Sequence, residues 1–268
     1  MTSVRLERRP QLRQNPGRAP AGRAARTADR HNRGMQPSPF GPPADWPVDD
    51  LIGYSRGFDA GLVVAAYRSG VFPMPIGRGT MGWFSPLQRG VLPLDGLRVS
   101  RSLRKTIKRY ELRLDTAFEE VLDRCADPSR EGAWINREIR TVYTELHRAG
   151  LVHSVEAWTA DGRLAGGLYG ISVGGLFAGE SMFHDEEIGR DASKAALVGL
   201  VAVLRSAGGA GRLLDAQWRT DHLATLGVVE IDRFGYLERL AVALRLDPPE
   251  WRTGPLDATL RHQDPATD

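Results

Sequence analysis

The sequence predicts an α+β protein whose helices pack on a mostly antiparallel sheet. Three observations carry this prediction. The runs VHSVEAWT (152–159) and RLAGGLYGISV (163–173) are joined at Asp161-Gly162, a two-residue hairpin signal, and Gly174-Gly175 turns the chain into LFAGESMF (176–183). The stretch ASKAALVGLVAVLRSAG (192–208) is apolar almost all round, as a central buried helix must be. Helices precede this meander, and short strands and helices follow it, without the regular alternation of a parallel βαβ sheet.

Taken in order, residues 1–45 read as a basic Arg/Pro-rich tail and linker with too little apolar surface to fold. A small N-terminal domain is expected over 46–96. In it Asp59 caps a helix, AGLVVAAYRS, that Gly70 stops. VFPMPIGRGTMGWFSP (71–86) reads as a Gly/Pro-rich loop, suited either to a shaped surface or to packing beneath the small domain. A larger domain is expected over 97–245. Ser100 caps RSLRKTIKRY, TAFEEVLDRCAD forms another helix, and Asn136 caps a third with an apolar stripe of Ile139, Val142, Tyr143, Leu146 and Ala149. Asp191 is expected to cap the buried helix, which ends at a glycine-rich C-cap. A strand RLLDAQ, a helix DHLATLG, a strand VVEI and a helix capped by Asp232 complete the domain, and 246–268 reads as a C-terminal tail.

The 268 residues are 41% hydrophobic and 26% charged, enough to bury a sizeable core. The net charge of +3 conceals an asymmetry. Residues 1–34 carry nine arginines against Glu7 and Asp29, a net of +7, which leaves −4 for the rest. Such a tail can neutralise RNA phosphates; a dispensable extension ahead of a start at Met35 fits equally well. The one cysteine, Cys125, excludes an intrachain disulfide and reads as a packed helix residue. No apolar run reaches the ~18 residues of a membrane helix, and the N-terminus lacks a signal-peptide core. A cytoplasmic monomer without a membrane partner is expected.

Nucleophilic hydrolysis has little support, because no G-x-S-x-G elbow occurs and the cysteine lies mid-helix. Six scattered histidines show no H-x-x-x-H spacing for a metal, and no P-loop or G-x-G-x-x-G follows a strand. What remains is polar. Glu180 sits inside the apolar run Phe177–Phe183, and Asp215 and Gln217, two apart on a strand, are expected to project from one face. Together they make either an acceptor-rich site or a rim of solvated side chains. Arg101, Arg104, Lys105, Lys108 and Arg109 share the outer face of their helix with no acid among them, which suits an anionic partner or a solvated surface.

A set of motifs then occurs in order over about residues 50–240. G-x-F-P stands at 70–73, W-F-S-P at 83–86, S-R-S-L at 100–103, G-A-W-I at 132–135 and G-G-L-Y-G at 166–170. F-A-G-E-S-M-F (177–183) and D-A-S-K (191–194) follow, then D-A-Q (215–217) and H-L-A-T-L-G (222–227). The chain thereby resembles the leucyl/phenylalanyl-tRNA–protein transferases. It departs from their usual pattern at Met74, where many members have an aromatic residue. At Leu87-Gln88 it lacks the acidic residue of W-W-S-P-D-P-R.

The resemblance implies a small N-terminal domain followed by a larger acyl-CoA N-acetyltransferase-like domain. It implies transfer of Leu or Phe, and also Met, from aminoacyl-tRNA to proteins beginning with Arg or Lys, which marks them for N-end-rule degradation. No metal or cofactor is implied, because the activated ester arrives on the tRNA. By motif position, Gln217 contacts the attacking amine and Asp215 polarises or orients it. Glu180 holds the basic N-terminus or the terminal adenosine. Trp134, Phe177, Met182 and Phe183, with Met74 and Trp83, are candidates for the aminoacyl pocket, and the basic helix from Arg101 to Arg109 for the acceptor-stem phosphates. A related peptidoglycan-type ligase and a non-catalytic RNA-binding protein are the alternatives.

Overall fold

A computed structural model describes residues 38–130 and 133–257. The basic stretch 1–34, Met35, the opening of the G-A-W-I motif and residues 258–268 lie outside them.

The N-terminal part holds strand β1 (Leu51–Ser55), helix α1 (Ala60–Arg68) and strands β2 (Phe72–Gly77) and β3 (Thr80–Phe84). The strands pair antiparallel in the order β1-β3-β2. The stretch read as a loop is therefore the β2–β3 hairpin. Pro73 and Pro75 mask it in sequence, since proline cannot donate to a ladder; here both sit on an edge strand, where a missing N–H is tolerated.

The second sheet contains β4 (Gln88–Leu92), β5 (Glu111–Leu114), β6 (Val152–Trp158), β7 (Leu164–Val173), β8 (Leu176–His184), β9 (Leu213–Gln217), β10 (Val229–Asp232) and β11 (Gly254–Pro255). Their order is β10-β4-β9-β8-β7-β6-β5-β11, and only β8 and β9 run parallel. Strand β4, from the stretch before residue 97, thus belongs to the larger sheet. So does β11, from the stretch read as a tail: Trp251 stacks on His153 with ring centroids 4.3 Å apart, and Leu256 is buried.

Helices α2 (Arg101–Ile107), α3 (Phe118–Cys125), α4 (Arg137–Arg148), α5 (Ala192–Ser206), α6 (Asp221–Thr225) and α7 (Arg233–Ala243) cover both faces. Leu168 of β7 joins the core under α5, where a Cβ on Gly166 would meet Ala192, while Tyr169 and Ile171 join the opposite core under α1, α3 and α4. This period-2 division buries the whole of β7. The α+β class read from the sequence holds.

Local capping chemistry sets most helix starts. Asp59, Ser100, Asn136 and Asp232 each accept a backbone N–H three residues on. Asp191 does not. Its φ of +58° is left-handed, and its carboxylate takes Lys194 Nζ at 2.7 Å instead. The Asp161-Gly162 hairpin forms with a longer loop than two residues, since Thr159 N donates to Arg163 O at 2.9 Å and Gly162 takes φ +80° between them.

Candidate active site

Strands β8 and β9 pair only as far as Ala178 and Asp215, and then part. Each is irregular where they diverge. Against β7, Gly179 pairs with Gly170 and Ser181 with Tyr169, so Glu180 is the extra residue of a bulge. Against β4, Asp215 pairs with Val91 and Gln217 with Gly90, and Gln217 takes φ +57°. Bulges re-aim side chains, and these two occur on neighbouring strands at one level. Gly90 permits the second: a Cβ there would lie 2.8 Å from the backbone of Trp218 and Arg219.

Between the parted strands is a cavity of about 270 Å³. Its wall is mainly apolar, with Leu92, Leu168, Leu197, Leu200, Leu214, Leu223 and Val228, and the N-terminal part adds Phe72, Pro73 and Met74. Glu180, Asp215 and Gln217 all reach it, as do Trp134 and Met182.

Three of the expected pocket residues lie elsewhere. Phe177 precedes the bulge, where β8 is still paired on both sides; it is fully buried, with its ring 5.4 Å from Trp251. Phe183 falls on the opposite face from Met182 and packs beneath Arg124, whose guanidinium stands 5.3 Å from the ring centre. Trp83 is in the core of the small sheet against Phe40 and Phe58, donating Nε1–H to Ser55 Oγ at 2.9 Å. Strand parity turns Phe183 away from the cavity, whereas Phe177 lies on its face but too far along β8, and Trp83 belongs to the other sheet.

The polar groups are held by residues the sequence reading did not single out. Asp215 is fully buried. Its Oδ1 accepts Arg89 Nε and the backbone N–H of Gln217, both at 2.9 Å. Its Oδ2 accepts Arg89 Nη2 at 2.6 Å and the Tyr236 hydroxyl at 2.8 Å. Arg89 lies between the rings of Phe72 and Tyr236, at 4.6 and 4.4 Å, a desolvated site where cation–π attraction counts. The simple one-face relation of Asp215 and Gln217 is replaced by contact through the backbone: the carboxylate braces the left-handed turn that presents Gln217.

Glu180 lies against a second buried group. Tyr67 of α1 donates to its Oε1 at 2.5 Å, and Tyr143 of α4 to its Oε2 at 3.0 Å. Burial pushes the carboxyl up to about 7, although the two hydroxyls favour its charged form. The hydroxyl of Tyr169, nearby on β7, has no hydrogen-bond partner among the described residues. Trp218 is fixed by the N-terminal part: Nε1 donates to Asp50 at 2.9 Å, and its ring meets Phe72 and Phe84 edge-on. Burial likewise pushes the Cys125 thiol up to about 11, as an inert packed cysteine requires.

Arg101, Arg104, Lys105, Lys108 and Arg109 are all exposed on or just after α2, while Leu103 and Ile107 face inward. That helix packs on α5, which supplies Leu197 and Leu200 to the cavity.

The model of the leucyl/phenylalanyl-tRNA protein transferase family matches residues 91–241, and that of the N-terminal domain of the same transferases matches 53–87. The chain is 48% identical to the leucyl/phenylalanyl-tRNA–protein transferase of Rhizorhabdus wittichii, over 70% of this chain and 76% of that one. It is 49% identical to that of Rhodospirillum rubrum, over 69% and 87% of the two chains. The match to the Chlorobaculum parvum transferase is 50%, over 68% and 93%. On this evidence the chain belongs to the leucyl/phenylalanyl-tRNA protein transferase family.

Proposed function

We propose that this protein transfers Leu or Phe, and also Met, from aminoacyl-tRNA to the α-amine of proteins beginning with Arg or Lys. It is then an aminoacyltransferase whose product enters N-end-rule degradation in the cytoplasm, acting as a monomer. The observation that carries the reading is the cavity of about 270 Å³ whose apolar wall meets Glu180 and Gln217 at one level. An apolar slot of this size suits one Leu or Phe side chain, and the polar groups fix its orientation.

The chemistry asks little of the protein. Aminolysis of an activated ester needs alignment and a neutral amine, and a free α-amine has a pKa of about 7.7–8.0. Gln217 positions the amine, since a carboxamide is a very weak proton acceptor. Asp215 orients Gln217, a role supported by its hydrogen bond to the Gln217 N–H. Glu180 faces the cationic N-terminus of the acceptor. Trp134, Met182 and Met74 contact the donor side chain, a reading supported by their place in the cavity wall. The exposed face of α2 takes acceptor-stem phosphates by charge and shape, which suits an enzyme that accepts more than one tRNA.

Incubation with labelled Phe-tRNA and a peptide beginning with Arg tests the reading. Label should appear on the peptide's α-amine. Binding of tRNA without transfer would replace it with the RNA-binding alternative that the basic face of α2 favours.

A further inference from the structure

Resting on the transferase reading, we propose that Glu180 accepts the proton of the incoming α-ammonium group and thereby generates the attacking amine. The argument is one of elimination along the cavity wall. Its polar side chains besides two indoles are Glu180, Ser181, Asp215, Gln217 and Thr220. The Gln217 amide and the two hydroxyls are too weakly basic to take a proton from an ammonium group. Asp215 is paired with Arg89 and occupied, with its oxygens receiving four hydrogen bonds from Arg89, Tyr236 and the Gln217 N–H. Glu180 alone combines basicity with room. Each oxygen accepts a single tyrosine hydroxyl, which leaves about half of its roughly four acceptor positions unfilled. The residue is also partly open to the cavity.

The surroundings suit the task. Facing Glu180 are Tyr67 from α1, Tyr143 from α4, Tyr169 from β7, Asp215 from β9 and Arg89 from β4. Cys125 and Arg130 reach the adjoining Ser181 and the Met182 carbonyl. A carboxyl near 7 stands about one unit below an α-amine, so proton transfer between them is nearly balanced. The two tyrosines hold the carboxylate in place for it.

The protons balance as follows. The α-ammonium gives one proton to the Glu180 carboxylate, leaving a neutral amine and a neutral acid. The nitrogen lone pair forms the C–N bond to the ester carbonyl carbon. The C–O bond to the ribose breaks with its electron pair on the ribose oxygen, which takes a second proton from nitrogen. Glu180 then returns its proton to water.

The test compares two acceptors with Phe-tRNA: an Arg-starting peptide, and its α-hydrazino analogue, whose nucleophilic nitrogen is already neutral at pH 7. Glu180→Gln should lower kcat for the amine by about five- to tenfold at pH 7, the shortfall of neutral amine there for a pKa of about 7.7–8.0, with a loss of less than about twofold for the hydrazino acceptor. Tyr143→Phe removes a hydrogen bond to the charged carboxylate, so the acid limb of the kcat profile should move to higher pH. Equal losses for both acceptors, or an acid limb unmoved in Tyr143→Phe, would overturn the proposal and leave Glu180 a holding group. Absence of transfer by the wild-type enzyme to either acceptor would instead refute the transferase reading beneath it.

Discussion

Arg89→Met is the perturbation that most directly tests how the site is held. Methionine keeps much of the stem that packs between Phe72 and Tyr236, but it deletes the guanidinium. Asp215 would keep the Tyr236 hydroxyl and the Gln217 N–H, while its charge, wholly buried, would lose its counter-ion. Removing one partner of a buried pair costs about 3–5 kcal/mol, because the other charge is left uncompensated. For a chain of this size that corresponds to a Tm lower by on the order of 10 °C. The double variant Arg89→Met/Asp215→Leu removes the stranded charge as well. It leaves the Tyr236 hydroxyl and the Gln217 N–H without that acceptor, at roughly 1 kcal/mol each. It should therefore recover about 2 kcal/mol relative to the single variant while remaining inactive, since nothing then braces the Gln217 turn. Urea unfolding followed by tryptophan fluorescence measures all three proteins. If the single variant unfolds within ~1 kcal/mol of wild type at the same m-value, or the double variant is no more stable than the single, the buried-pair reasoning is wrong.

Three further outcomes are expected. Gln217→Ala should lower kcat strongly with tRNA affinity nearly unchanged, and Gln217→Gly should be equally inactive but more stable than the alanine variant by about 1 kcal/mol, since glycine adopts the left-handed φ without strain; a matching loss of tRNA binding would make Gln217 a ligand-holding residue. Glu180 titrates near 4.3 when unfolded and at about 7 when folded, so the folded state holds the extra proton between those values. Its stabilising contribution is complete below the unfolded value and is lost as pH rises through 7. Glu180→Gln should therefore gain stability relative to wild type between pH 5 and 8, by at most ~4 kcal/mol; parallel stability–pH curves would contradict this. Charge reversal at Lys105 and Lys108 should weaken tRNA binding and flatten its salt dependence, and an unchanged salt slope would remove α2 from the RNA surface.

What could be read from the sequence was local. Caps at Asp59, Ser100, Asn136 and Asp232 act within three residues, and the β6–β7–β8 meander announces itself by its turns. Glu180, Asp215 and Gln217 were legible because a polar residue in an apolar strand needs a reason wherever the strand goes. The apolar character of α5 likewise foretold its burial.

Tertiary structure alone decided what surrounds those three residues. Tyr67 and Glu180 are 113 positions apart, and Arg89 and Asp215 are 126 apart. A tyrosine in an apolar stripe looks the same in sequence whether it fills a core or holds a carboxylate. The N-terminal hairpin was hidden because its prolines are harmless only on an edge strand, and sequence does not say where the edge is. The exclusion of Phe183 from the cavity has a related cause. Side chains alternate along a strand until a bulge adds one residue and reverses their facing. The bulge at Glu180 depends on the neighbouring strand as much as on its own residues. The chemical groups are thus encoded in short segments, whereas their orientation depends on pairings between segments distant in the chain.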